Sequence, residues 1–200
     1  MCGIAGIIDL SDRPINQTIV ESMSSAMINR GPDAGGIKVL PHAVLGHRRL
    51  SILDLSLKGN QPMSDKEKDS WIVHNGEIYN HNELRQDIQY KGFNFLSRTD
   101  TETILYGYKN WGRGVSEKLR GMWAFAIWDA TETTLFMSRD RFGEKPLFYY
   151  HEGSRVAFAS SLAGLLPALP NKEINPDAVA SLLSYEYIPT NECIYKGVKK

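Results

Sequence analysis

Met1-Cys2-Gly3-Ile4-Ala5-Gly6-Ile7-Ile8 opens the chain. Residues 3–8 are too apolar for a frayed terminus. They read as a buried strand, with glycines where another backbone or a ligand comes close. A cysteine directly after the initiator methionine has a specific chemical prospect. With Met1 removed, one carbon carries both a thiol, which titrates near ~8.5, and an amine, which titrates near ~7.7–8.0. Such an amine can serve as the base for its own side chain. Taken alone, Cys2 reads as a small, uninvolved residue, since chain starts are commonly poorly ordered.

The formal net charge is zero, which argues against a broad basic face and hence against a large nucleic-acid footprint. No apolar run is long enough to span a membrane, and the start lacks the basic and apolar regions of a secretory signal. Cys2 and Cys193 stand at opposite ends, so they make no disulfide framework; a reducing cytoplasm is the expected compartment, with Cys193 an inert structural thiol. The five histidines show no metal-ligand spacing, and His47 and His74, beside apolar runs, read as packed structural residues.

Downstream of the first strand, Asn16 is placed to cap a helix whose apolar face is Ile19, Met23, Ala26 and Met27. Residues 29–36 contain Pro32 and three glycines and read as a loop. Its Arg30 and Asp33 read as a surface ion pair or as braces for a site. Strands are expected over residues 37–40 and 43–47. Arg48-Arg49 then leaves the second of them, and in an alternating strand only one arginine turns inward. An inward arginine needs an anionic partner, and a carboxylate is the geometric match. Residues 56–69 read as a loop and 71–74 as a strand.

Asn75-Gly76 is a hairpin signal. The residues after it are not a clean second strand, and Asn80 to Glu83 has capping-box spacing. The dipeptide is therefore placed at a strand end before a helix, where Gly76 lets the backbone approach a ligand and Asn75 offers an amide donor. Thr99 to Glu102 repeats the capping-box spacing, which puts Asp100 in a first helical turn; the helix dipole alone explains a carboxylate there. Residues 122–129 with 134–140, and 147–151 with 155–160, read as two hairpins. Charges in the intervening Arg139–Leu147 stretch pair with one another or face a partner. A short helix follows over 161–169 and another over 176–187. The tail 193–200 is strand-like without a local partner, and a boundary falls near 168–176. The order of elements argues for an α+β protein with largely antiparallel sheets covered by helices.

A nucleophile, an inward arginine, an amide donor beside a glycine and two carboxylates together suit glutamine. Its γ-amide meets Cys2, its α-carboxylate Arg49, its α-ammonium Glu77 and Asp100, and the oxyanion of attack Asn75 and Gly76. Cys2-Gly3-Ile4, Arg30-Gly31-Pro32-Asp33, His47-Arg48-Arg49-Leu50-Ser51, Asn75-Gly76-Glu77-Ile78-Tyr79-Asn80, the Asp100–Glu102 step and Arg139-Asp140…Gly143…Pro146-Leu147 follow one another in the order found in a known family. Together they resemble the N-terminal glutaminase half of glutamine-hydrolysing asparagine synthetase, a class II glutamine amidotransferase of the N-terminal-nucleophile type.

The resemblance implies a four-layer αββα sandwich of two mainly antiparallel sheets. It implies Cys2 as nucleophile with its own amine as base, and an oxyanion hole at Asn75 and Gly76. Glutamine binding falls to Arg49, Glu77 and Asp100, with the backbone near Ile52 helping. It implies a glutaminase domain over residues 2–168, with 169–200 a linker and the start of a C-terminal synthetase domain. The glutaminase half is expected to need no metal or organic cofactor, the synthetase half ATP and Mg. The resemblance leaves room for a homodimer and gives no reason to expect a nucleic-acid or membrane partner. No stretch here matches the Ser-Gly-Gly-x-Asp phosphate loop that opens the synthetase half, so either a piece of a longer protein, the favoured reading, or a synthetase half on a separate chain is expected. The acceptor of the ammonia stays open: aspartate, or a sugar or cell-envelope precursor. A non-catalytic glutamine-binding module is the rival from another class.

Overall fold

A computed structural model describes residues 1–11 and 13–200. The strand expected at the start, β1 (Gly3–Asp9), is buried on both faces, and that sets the layering. Ala5 and Ile7 face one way, into a cluster with Val20, Met23 and Met27 of the first helical region. Ile4 and Ile8 face the other way, against Leu45, Val73, Ala126 and Trp128. A strand with two apolar faces needs cover on both, and here helices supply one and a second sheet the other. Gly6 points into the sheet–sheet side, where a Cβ would lie 2.5 Å from the Phe158 ring. The close neighbour expected for that glycine is therefore a core phenyl ring.

Helix α1 (Gln17–Ser25) starts as expected on Asn16, whose side chain accepts from Thr18 N. The next strands are β2 (Ala34–Leu40) and β3 (Ala43–Arg49), and then β4 (Met63–Ser64) and β5 (Ser70–Ile78). Helices α2 (His81–Tyr90), α3 (Asp100–Trp111) and α4 (Val115–Lys118) follow. Two hairpins come next, β6 (Gly121–Asp129) with β7 (Thr134–Arg139) and β8 (Phe148–Glu152) with β9 (Arg155–Ala159). The chain closes with α5 (Leu162–Leu165), α6 (Pro176–Tyr185) and β10 (Val198–Lys199).

One sheet has the order β10-β8-β9-β1-β3-β2 and the other β4-β5-β6-β7, and all the recorded pairings are antiparallel. On the outer face of the second sheet, Ile72, Phe125 and Ile127 pack with Leu84 of α2, Ile104 and Leu105 of α3 and Val115 of α4. The layers thus run helices, sheet, sheet, helices, which is the expected αββα sandwich.

Several expectations need correction. Strand β5 does not stop before Asn75: it runs through Gly76 and Glu77 to Ile78, fully paired with β6. β6 is long enough to keep offering partners, and strand pairing outweighs the local turn preference of Asn-Gly. Asn80 precedes α2, but its side chain makes no cap bond. It instead accepts from Arg120 N and donates to Lys118 O, tying the end of β5 to the start of β6. Thr99 does cap α3, yet Glu102 turns away from the reciprocal bond and accepts from Leu96 N and Ser97 N. The two-residue β4 lies inside the expected loop 56–69. The C-terminal tail does have partners. Val198 pairs with Tyr150, Asn175 N donates to Ile194 O, and Cys193 and Val198 are buried in the cluster beneath the first sheet.

No helix among the described residues is long and apolar enough to cross a membrane. Nor does any group of three or more His, Cys, Asp or Glu among them stand close enough to hold a metal ion.

Candidate active site

Cys2 sits where β1 begins, at the ends of both sheets. Its carbonyl accepts from Arg30 Nε at 3.0 Å, and its sulfur lies 3.3 Å from the donating Leu50 N. Asp33 accepts from Ser51 N at 2.8 Å, and Arg48 Nε donates to Gly31 O at 3.1 Å. Arg30 and Asp33 thus brace the segment around Cys2 and do not form an ion pair with each other. Burial is the largest influence on the Cys2 thiol and raises its pKa. The Leu50 N–H and the positive charges of the chain's amino terminus and Arg49 pull it down in part, while Asp100 adds to the rise.

Cys2, Arg49, Ile52, Asn75, Gly76, Glu77 and Asp100 all line one pocket of about 120 Å³. That volume is below the about 300–1,000 Å³ typical of drug-sized ligands and suits an amino acid better than a nucleotide. Asn75 is buried with its Nδ2 unpartnered. Leaving a buried donor without a partner costs about 1–3 kcal/mol. Gly76 has no room for a side chain: a Cβ would stand 2.3 Å from Met122 O and 2.7 Å from His74 Nε2. Asp100 in the first turn of α3 is buried, and its Oδ2 accepts from Ile78 N at 2.9 Å.

Arg49 is the inward arginine of the pair, buried to 6% exposure. Its protein partners are carbonyl oxygens and an amide oxygen, so the anion expected of it is left to a ligand. Nη1 donates to Ser56 O and Asn60 Oδ1, and Nη2 to Leu53 O and Asp54 O. Four of its five N–H groups therefore shape the loop that forms one wall of the pocket. Ile52 lies on that loop with its side chain exposed, so the backbone is what it can offer a ligand.

The pocket also contains residues that sequence patterns did not assign to it. Gln61, His74, Thr101 and Lys145 line it, as does Met1. Lys145 comes from the charged Arg139–Leu147 stretch, is buried, and makes no ion pair among the described residues. Its neighbour Asp140 is held by N–H groups of Trp123, Glu144 and Lys145, so the loop is organised by backbone donors and not by charge pairs. Periodicity carries no signal for such loop residues; only the fold brings them to Cys2.

His47 and His74 are packed, as expected, and His74 also reaches the pocket. His47 Nε2 is 3.2 Å from His74 O, an acceptor, so Nε2 carries the proton. Burial pushes the His47 pKa down to about 3, and burial likewise lowers that of His74. A histidine neutral when folded but free to titrate near ~6.5 when unfolded adds stability above that pH and loses it as pH falls toward the folded value. His47 alone is expected to cost about 2 kcal/mol of stability between pH 7 and pH 5. Urea midpoints measured across that range should slope less for His47→Gln than for the wild type, with His74 supplying part of the remainder; equal slopes would remove His47 as a source.

The chain as a whole matches the model of one family, the glutamine amidotransferase domain, over residues 1–200. The chain belongs to that family. This amidotransferase domain is 37% identical over 205 residues to asparagine synthetase [glutamine-hydrolyzing] 1 of Bacillus subtilis, covering all of this chain and 32% of the relative. It is 41% identical over 223 residues to putative asparagine synthetase [glutamine-hydrolyzing] 2 of Methanocaldococcus jannaschii, covering all of this chain and 42% of that protein. The chain therefore spans about a third to two fifths of the length of these two relatives. Among solved structures, glutamine phosphoribosylpyrophosphate amidotransferase from B. subtilis, complexed with ADP and GMP, superposes with a TM-score of 0.68. The match covers 82% of this chain and 42% of that one at 21% identity, which establishes a shared fold.

Proposed function

We propose that this amidotransferase domain hydrolyses the side-chain amide of glutamine to glutamate and ammonia. The unpartnered Nδ2 of Asn75, in the same pocket as the Cys2 thiol, carries the reading. A nucleophile beside an idle buried donor suits a reaction in which negative charge develops on oxygen. In a chain beginning at Cys2, the thiol proton passes to the free amine and the thiolate attacks the amide carbon. The C–S bond forms, and the oxygen, now anionic, is held by Asn75 Nδ2–H and the Gly76 N–H. The C–N bond then breaks, the ammonium returns its proton to the leaving nitrogen, and ammonia departs. Water attacks the thioester and releases glutamate.

The α-ammonium is assigned to Glu77 and Asp100. The α-carboxylate is assigned to the Arg49 end of the pocket, where the guanidinium supplies charge while its terminal nitrogens hold the loop that carries Ile52. Ammonia is passed on to an ATP- and Mg-dependent synthetase region that makes asparagine in the cytoplasm. Similarity to relatives named asparagine synthetases supports that destination, and the glutaminase unit is assigned to residues 2–168, with 169–200 leading toward the synthetase.

The test is ammonia release from glutamine by protein beginning at Cys2, beside Cys2→Ala. Release is expected in the first and only background in the second, with a glutamyl adduct on Cys2 in acid-quenched samples. A folded Cys2-started protein that releases no ammonia would sink the reading.

A further inference from the structure

His74 lies on β5 immediately before Asn75 and is buried to 2% exposure. Each of its polar groups except Nε2 has a partner, and two of them meet residues of the pocket wall. Its backbone N–H donates to Gln61 Oε1 at 2.6 Å, and its carbonyl faces His47 Nε2. Its Nδ1 is 3.1 Å from Thr101 Oγ1, which also accepts from Gln61 Nε2 at 3.2 Å. The same Nδ1 lies 3.9 Å from Asp100 Oδ1. Nε2 is unpartnered and sits against Gly76. The charged groups acting on the ring are Asp100 from α3 and Lys145 from the loop after β7.

The Asp100 carboxylate is thus bonded to β5 at one point, and the helical turn that carries it is tied to β5 at a second. Ile78 N–H holds Oδ2, and the imidazole edge stands beside Oδ1. The next residue of α3, Thr101, is bonded to that same imidazole. The ring therefore staples the first turn of α3 to the strand that carries Asn75 and Gly76. Without it, the carboxylate would keep its bond from Ile78 N–H, but the helical turn that carries it would lose its tie to β5 through Thr101.

We propose that His74 is a positioning residue that fixes Asp100 relative to Asn75 and Gly76, and thereby sets the pocket's preference for amides bearing an α-ammonium group. This rests on the assignment of Asp100 to the α-ammonium. It goes beyond that assignment by making the preference depend on a residue that acts through Thr101 and Asp100. A displaced carboxylate weakens its hold on the ammonium, and small misplacements in a site commonly cost up to about 100-fold.

The experiment compares ammonia release from glutamine and from glutaramate, which keeps the amide and the carboxylate but lacks the α-amino group. Both are measured on full-length protein beginning at Cys2. The readout is the ratio of the two kcat/KM values, which a general loss of folded protein leaves unchanged. His74→Phe, close in shape but without ring nitrogens, is expected to lower the ratio roughly 10-fold, mainly through the KM for glutamine. His74→Asn, whose amide stands near the position of Nδ1, is expected to restore most of it. Thr101→Val, which keeps the helix and removes the hydroxyl, is expected to lower the ratio like His74→Phe and serves if that variant does not fold.

Asp100→Ala is the control that separates the two ideas. If Asp100→Ala collapses the ratio while His74→Phe and Thr101→Val leave it at the wild-type value, His74 has no such role. If Asp100→Ala itself leaves the ratio unchanged, the assignment of Asp100 to the ammonium fails first and takes the inference with it.

Discussion

Removing Met1 is expected to raise the rate of glutamine hydrolysis by roughly 10²–10⁴-fold, the usual contribution of a positioned general base. With Met1 in place the nitrogen of Cys2 is an amide without basicity, and the methionine stands in the wall of the pocket that glutamine would enter. Burial raises the thiol pKa, so the thiolate forms less readily without a base at hand. The buried histidines are poor replacements for the amine. His74 has its Nδ1 against Thr101, and burial lowers its pKa, as it does that of His47. Once Cys2 begins the chain, its amine is carried on the same carbon as the thiol side chain and needs no further residue to hold it. Intact-mass spectrometry paired with ammonia release on trimmed and untrimmed protein decides the matter. Equal activity in a preparation that retains Met1 would overturn the proposed base.

Asn75→Ala is expected to lower kcat by about 10²–10³-fold, the cost of one oxyanion donor, with little change in KM. The side-chain Nδ2 is unpartnered in the resting pocket, so its loss removes an unsatisfied buried donor and is expected to keep or raise folding stability even as turnover falls. Arg49→Ala and Asp100→Ala should show the opposite pattern. They are assigned to parts of glutamine that do not change during the reaction, so KM rises more than kcat falls. Arg49→Lys is not expected to rescue Arg49→Ala. A single ammonium lacks the fork that bonds Ser56 O, Asn60 Oδ1, Leu53 O and Asp54 O together. Steady-state kinetics on the four variants supply the test, and a wild-type kcat for Asn75→Ala would take it out of the oxyanion hole.

The sequence by itself determined those features whose causes are local. The apolar run after Cys2 is a strand because both of its faces need burial, and Asn16 and Thr99 cap helices because their side chains reach the nearest backbone N–H groups. Six of the seven candidate site residues stood out by chemical type, as nucleophile, amide donor, glycine or charge, and Ile52 by the family resemblance alone; all seven line one pocket. Tertiary structure decided what depends on partners far along the chain. Asn80 lost its capping role to β6, because the backbone groups at Lys118 and Arg120 lay within reach. Asn75-Gly76 became paired strand because β6 offered a continuous edge. Arg49 went to a carbonyl-lined loop, Arg30 to the Cys2 carbonyl, and His74 to Thr101 beside Asp100, none of which any periodicity encodes. Hydrophobic spacing reports which face of an element is buried. The partner that a polar side chain finds there is set by which elements the fold packs against that face.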